Sequence, residues 1–121
     1  GTARHVPEPL DLGAVEAAAA AVVGAHDFAA FRRAGSETRG TIRTMTHSRA
    51  TRDASGLLTY EIEGDGFLRH MVRALVGTLV EVGRGWRDAG SMASLLAGGT
   101  RSQAGATAPA HGLFLVRVDL N

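Results

Sequence analysis

Arg69, His70 and Arg73 are the residues of this chain whose types and spacing best suit chemistry, and they stand near the start of the stretch from Gly66 to Gly85. A helix advances about 100° per residue. On that spacing Leu68, Met71, Val72, Leu75, Val76, Leu79 and Val82 form one apolar stripe, while Arg69, Arg73, Gly77 and Arg84 run up the opposite side. A guanidinium is a planar, permanently charged fork that matches carboxylate and phosphate. Two of them four residues apart on one face repel slightly, so an anionic group is their natural complement. On the residues alone, an arginine on an amphipathic helix is ordinarily a solvated charge.

Arg32, Arg33, Arg39, Arg69, Arg101 and His70 are further candidates for contacts to phosphate. All thirteen cationic side chains are arginine and none is lysine, although the formal net charge is only +1. That usage suits an RNA-facing surface and equally suits a biased genome. His5, His26, His47, His70 and His111 lack the paired spacing of a metal-binding helix, so no metal site is expected. Asp53, in Arg52-Asp53-Ala54-Ser55-Gly56, reads as a turn residue. The absence of cysteine excludes a disulfide framework and a thiolate zinc site. Phosphate loops and nucleophile elbows are missing, and five percent aromatics is too few for a single-strand stacking platform.

The elements that must position these residues follow from periodicity and punctuation. Asp11 caps an expected helix over residues 12–23, rich in alanine and stopped by Gly24. Residues 27–33 read as one or two helical turns with Phe28 and Phe31 inward, and 35–40 as a polar loop. Residues 42–51 and 57–63 read as a hairpin; Leu58, Tyr60 and Ile62 alternate cleanly with Thr59, Glu61 and Glu63, whereas the first strand alternates poorly. The central helix starts at the Gly64-Asp65-Gly66 cluster, and Gly83 and Gly85 can take the left-handed conformation that ends it. A shorter helix over 88–96, ended by Gly98 and Gly99, a loop over 100–112 and a closing strand from Phe114 to Leu120 complete the order. The expectation is an α+β domain, with an antiparallel or mixed sheet covered on one face by helices. The other face, with Glu61, Glu63, Arg117 and Asp119, is left for solvent or an interface.

At 121 residues a single domain, 1–121, is expected. No apolar run reaches membrane-spanning length, no signal pattern opens the chain, and a cytoplasmic domain without membrane contact is the expectation. The chain begins at Gly1, which suggests a piece of something longer.

The stretch Gly66-Phe67-Leu68-Arg69-His70-Met71-Val72-Arg73-Ala74-Leu75-Val76-Gly77-Thr78-Leu79-Val80-Glu81-Val82-Gly83 resembles the central helix motif of the A-type tRNA pseudouridine synthases. Gly24-Ala25-His26-Asp27-Phe28-Ala29-Ala30-Phe31 before it, and Thr107-Ala108-Pro109-Ala110-His111-Gly112-Leu113-Phe114-Leu115-Val116 after it, are similar to family segments in the same order. The resemblance covers the C-terminal half of such an enzyme. The family's N-terminal half, with its Gly-Arg-Thr-Asp-Ala-Gly motif and catalytic aspartate, has no counterpart here.

The resemblance implies the C-terminal half of the pseudouridine synthase fold and an isomerase of uridines in the tRNA anticodon stem-loop that uses no cofactor. Its implied partners are tRNA and the N-terminal half of the same enzyme, with a homodimer left open. Arg73 falls on the family's Met-Val-Arg, whose arginine pairs with the catalytic aspartate. Gly112-Leu113 falls on the aliphatic site beside the flipped base, a position that the residues alone would assign to the core. This chain alone is expected to be inactive. The alternative is a non-catalytic RNA-binding or dimerising module that keeps the fold.

Overall fold

The computed structural model describes residues 10–32, 40–54, 56–68, 70–105 and 114–120, with the backbone alone at 114–116. Four strands form one mixed sheet in the order β1-β2-β3-β4. They are β1 (Gly24–Asp27), β2 (Ile42–Arg52), β3 (Leu58–Gly64) and β4 (Phe114–Leu120). β1–β2 and β2–β3 pair antiparallel, and β4 joins β3 in parallel. Helices α1 (Leu12–Ala20) and α2 (Met71–Gly83) pack on one another and on one face of the sheet, with α3 (Ser91–Leu95) beside α1. The fold is the expected α+β arrangement.

The core is the seam between that sheet face and the helices. Leu58, Tyr60 and Ile62 of β3 are buried, and Met71, Leu75, Leu79 and Val82 of α2 close over the sheet. Phe28 and Phe31 are fully buried, their rings tilted at 6.2 Å. In the midst of the seam the Tyr60 hydroxyl and Ser48 Oγ share a 2.7 Å hydrogen bond, and burial pushes the Tyr60 phenol far above its ordinary range. The poor alternation of β2 has a physical cause. A register shift between Met45 and His47 lets Met45, Ser48 and Ala50 all turn inward, with a step of three where a regular strand allows two.

Several expected boundaries are corrected. The Asp11 cap holds, its side chain accepting the Ala14 amide at 3.1 Å, but α1 ends at Ala20 and residues 21–23 turn toward Gly24, whose φ is 112°. The stretch read as helical turns over 27–33 is the end of β1 followed by a single 3-10 turn, Ala29–Phe31. β1 is a strand where the expected order has none. It exists because Gly24 to Asp27 pair with Met45 to Ile42, and the Asp27 amide donates to Leu96 O at 3.0 Å on its other side. The helix expected over 88–96 is only Ser91–Leu95.

The central helix starts later than its periodicity suggests, at Met71. Asp65 fastens the preceding segment to β2, accepting the Thr44 amide at 2.9 Å and donating its own amide to Thr44 O at 3.1 Å. His70 then has φ 64°, which no α-helical residue can share, so the residues before it cannot join the helix. Gly77 and Gly83, read as exposed or terminal, are buried within α2. A Cβ at Gly83 would stand 2.9 Å from Val15 Cγ2, so glycine there permits the close approach of α1.

On the uncovered sheet face Glu61 lies 3.1 Å from His47 and 3.8 Å from Arg117, which also reaches Asp119 at 3.4 Å. These exposed pairs contribute little to stability. Asp53 is a turn residue, its side chain accepting the Leu57 amide at 3.0 Å. Among the described residues, no helix is long and apolar enough to cross a membrane.

Candidate functional site

α2 is buried on nearly every side, because residues 74–79 are all enclosed by the sheet, α1 and the connecting segments. Arg73, in its first turn, is exposed. A helix that meets water at one place in its first turn, and places an arginine there, carries a fixed cation at the end where backbone N–H groups already concentrate positive potential. The first turn contains no acidic residue, and the side chain of His70 does not cap it. His70 itself is exposed and is the described non-glycine residue with positive φ. Such a backbone costs of order 1 kcal/mol and persists only where its surroundings enforce it. Here the Met71 amide bonds to Leu68 O and the Ala74 amide to His70 O, both at 3.1 Å, which locks the bend that aims the start of α2.

The other candidates divide. Arg32 follows the 3-10 turn Ala29–Phe31, and Arg101 begins a second one, Arg101–Gln103; the two turns lie side by side. Both arginines are half-buried, and Arg101 Nη1 donates to Gly105 O at 2.9 Å. The structure thus brings His70 and Arg73 together at the start of α2, and Arg32 and Arg101 near each other on neighbouring turns. Arg33, Arg39, Arg69, Gly112 and Leu113 lie outside the described residues.

Residues 100–105, expected as part of a loop, form a strap. Thr100 and Gln103 cap each other, with the Thr100 amide donating to Gln103 Oε1 at 2.7 Å. Arg87, held by Glu81 at 3.0 Å, donates through Nη2 to Gln103 O at 2.9 Å. The buried Gly105 amide donates to Thr78 Oγ1 at 2.9 Å, and that hydroxyl donates to Ala74 O at 2.9 Å. The strap is thereby seated on α2 just over one turn beyond Arg73. A threonine within an apolar helical stretch was the one signal available for this contact, since its hydroxyl must find a partner when buried.

At the far end, the Gly85 amide bonds to Val82 O at 3.0 Å and the Trp86 amide to Glu81 O at 2.9 Å, with Gly85 at φ 79°. This is the Schellman arrangement. Gly85 alone takes the left-handed role that was open to both glycines.

A family model described as tRNA pseudouridine synthase matches residues 18–121. The chain is 51% identical over 114 residues to a tRNA pseudouridine synthase A of Syntrophotalea carbinolica, an alignment covering 94% of this chain and 45% of that protein. It is 47% identical over 115 residues to the same-named protein of Shouchella clausii, covering 95% and 44%. With that of Acetivibrio thermocellus the figures are 44% over 114 residues, covering 94% and 46%. The chain spans a little under half the length of these relatives.

Proposed function

The chain belongs to the tRNA pseudouridine synthase family, and from that premise we propose that it is the C-terminal domain of an enzyme that isomerises uridine to pseudouridine in the tRNA anticodon stem-loop. The N-terminal half of that enzyme brings the aspartate nucleophile. Arg73 pairs with it across the cleft between the halves, and Gly112 and Leu113 line the place of the flipped base. In the isomerisation the N1–C1′ bond breaks, the uracil rotates while the aspartate holds the sugar, a C5–C1′ bond forms, and the C5 proton is lost as N1 gains one.

The observation that carries this reading is the exposed Arg73 in the first turn of an otherwise enclosed α2. A nucleophilic carboxylate has to stay ionised while water is excluded, and a guanidinium beside it lowers its pKa and fixes its orientation. The positive end of α2 adds to that field. A surface for the N-terminal half is also present. Among the described residues β4 is an edge strand, and Val118 and Leu120 are 45% and 72% exposed although their register partners Ile62 and Gly64 face the core.

The test uses single-turnover pseudouridine formation and a tRNA binding curve on the two-domain enzyme. Losing the arginine from a desolvated pair costs ~3–5 kcal/mol, a rate decrease of about two to four orders of magnitude. Arg73→Lys is expected to be nearly as damaging as Arg73→Ala, because lysine offers a point charge where the pair needs a fork. Affinity for tRNA stays near normal in both, and the present chain alone shows no turnover. Near-normal turnover in Arg73→Ala refutes the assignment, and a matching loss of affinity reassigns Arg73 to phosphate contact.

A further inference from the structure

Trp86 is the chain's one tryptophan, and it is 66% exposed. An apolar residue at this position after a Schellman turn commonly packs back on the last helical turn. Trp86 does not bury itself in that way. Its amide is fixed by the bond to Glu81 O, and the Arg84 guanidinium lies over one ring face with Cζ 4.9 Å from the centroid. Among the described residues Arg84 Nε is buried with no hydrogen-bond partner, so the contact given for the guanidinium is its stacking on the indole. The result is an aromatic ring paired with a cation and largely open to solvent.

The place of this plate on α2 indicates its ligand. Arg84 caps the helix with α-helical angles, φ −82° and ψ −5°. It follows Arg73 by eleven positions. At 100° per residue eleven positions bring Arg84 back to within about 20° of Arg73, about 16 Å further along the axis. The two arginines therefore stand three turns apart on one helix, with the enclosed residues 74–79 between them. Arg87, the residue after Trp86, has its guanidinium on Glu81 and on Gln103 O. A polyanion carrying stackable bases matches a guanidinium set against an exposed indole.

We propose that Trp86, backed by Arg84, is a second tRNA contact, remote from Arg73, at which an unpaired base stacks on the open indole face and flanking phosphates meet the arginines. The proposal rests on the tRNA-modifying function proposed above. It gives the enzyme an RNA contact at one end of α2 while the target uridine is held at the other.

The experiment titrates the two-domain enzyme with an unmodified tRNA transcript, and compares wild type with Trp86→Ala and Trp86→Phe. Stacking of one base on an aromatic side chain is removed by alanine, so Kd is expected to rise roughly 5- to 100-fold in Trp86→Ala and much less in Trp86→Phe. The emission that disappears in Trp86→Phe is Trp86's own, and in wild type it is expected to be quenched and shielded from iodide as tRNA binds. Unchanged affinity in Trp86→Ala, or unchanged Trp86 emission with tRNA bound, overturns the proposal. So does shielding that follows protein concentration without tRNA, which assigns the plate to self-association. Circular dichroism confirms that each variant is folded, and if the alanine variant is not, the quenching and shielding of the Trp86 emission, identified by its loss in Trp86→Phe, decides the question. If wild type forms no pseudouridine in any tRNA the proposed function fails; if it does and Trp86→Ala binds normally, only the second contact fails.

Discussion

Replacing Thr78 with valine tests whether one buried hydrogen bond seats the 100–105 strap on α2. The side chain is wholly enclosed, accepting the Gly105 amide at 2.9 Å and donating to Ala74 O at 2.9 Å. Valine has almost the same shape and a similar helix propensity, so neither a cavity nor a weaker helix confuses the result. The Ala74 carbonyl keeps its ordinary ladder bond from the Thr78 amide. Gly105 has no such substitute. A Cβ built on it would lie 2.9 Å from both Thr78 Cα and Thr78 N, so its backbone is pressed to the helix and its amide cannot turn to water. Leaving that donor buried and unmet costs ~1–3 kcal/mol. Urea unfolding should show a lower midpoint at unchanged slope, and melting should fall by roughly 3–5 °C per kcal/mol for a domain of this size. Thr78→Ser, which restores the acceptor, should recover most of the loss. A Thr78→Val protein within about 0.5 kcal/mol of wild type, or a serine variant worse than the valine one, would show that the strap is held otherwise and refute the reasoning.

Leu75, fully buried in the α2 stripe, should lose ~2–5 kcal/mol on truncation to alanine, and a loss under about 0.5 kcal/mol in chemical denaturation would mean that the stripe does not face the core. Tyr60 should make the fold sensitive to alkali: its folded pKa is raised, so its contribution is complete below the unfolded value of about 10 and is lost as pH rises beyond it. Being the chain's single tyrosine, it can be followed at its own phenolate absorbance, which should appear together with unfolding; phenolate formed in a still-folded chain would contradict the burial.

The α2 stripe was legible because a 3.6-residue period survives local bending. Leu68, Met71, Leu75, Val76, Leu79 and Val82 are all buried, and Val72 is half-buried at the margin. The exposure of Arg73 followed from the same wheel. β1 was not legible, since four residues without alternation become a strand only through their pairing with β2. Nor could the bulge be read, because an inserted residue looks like noise in a period of two. The His70 bend is imposed from outside, by Asp65 fastening the β3–α2 connection to Thr44. At the candidate site the strap escaped for a related reason. Its anchors join residues 27 apart, Gly105 to Thr78, and 16 apart, Arg87 to Gln103, and no local pattern encodes such pairs.

Those distant anchors matter because a guanidinium that orients a nucleophile has to be placed as well as supplied. A side chain on a surface loop would have to be ordered by each ligand it met, at the expense of part of the interaction energy. Arg73 instead rides on a helix fixed at three heights by three different parts of the chain. Asp65 ties the segment leading into α2 to β2, Thr78 takes the Gly105 amide in the middle, and Gly83 O accepts the Asp11 amide at 2.9 Å at the end. Each tie uses backbone atoms on at least one side, so none depends on a long side chain keeping its rotamer. The glycines belong to the same design. Gly83 admits Val15, and Gly64 admits the Met45 side chain, which a Cβ would meet at 2.5 Å. Close approach at Gly83 sets how near α1 lies to α2, and that packing helps to set where the Arg73 charge stands relative to any carboxylate brought to it.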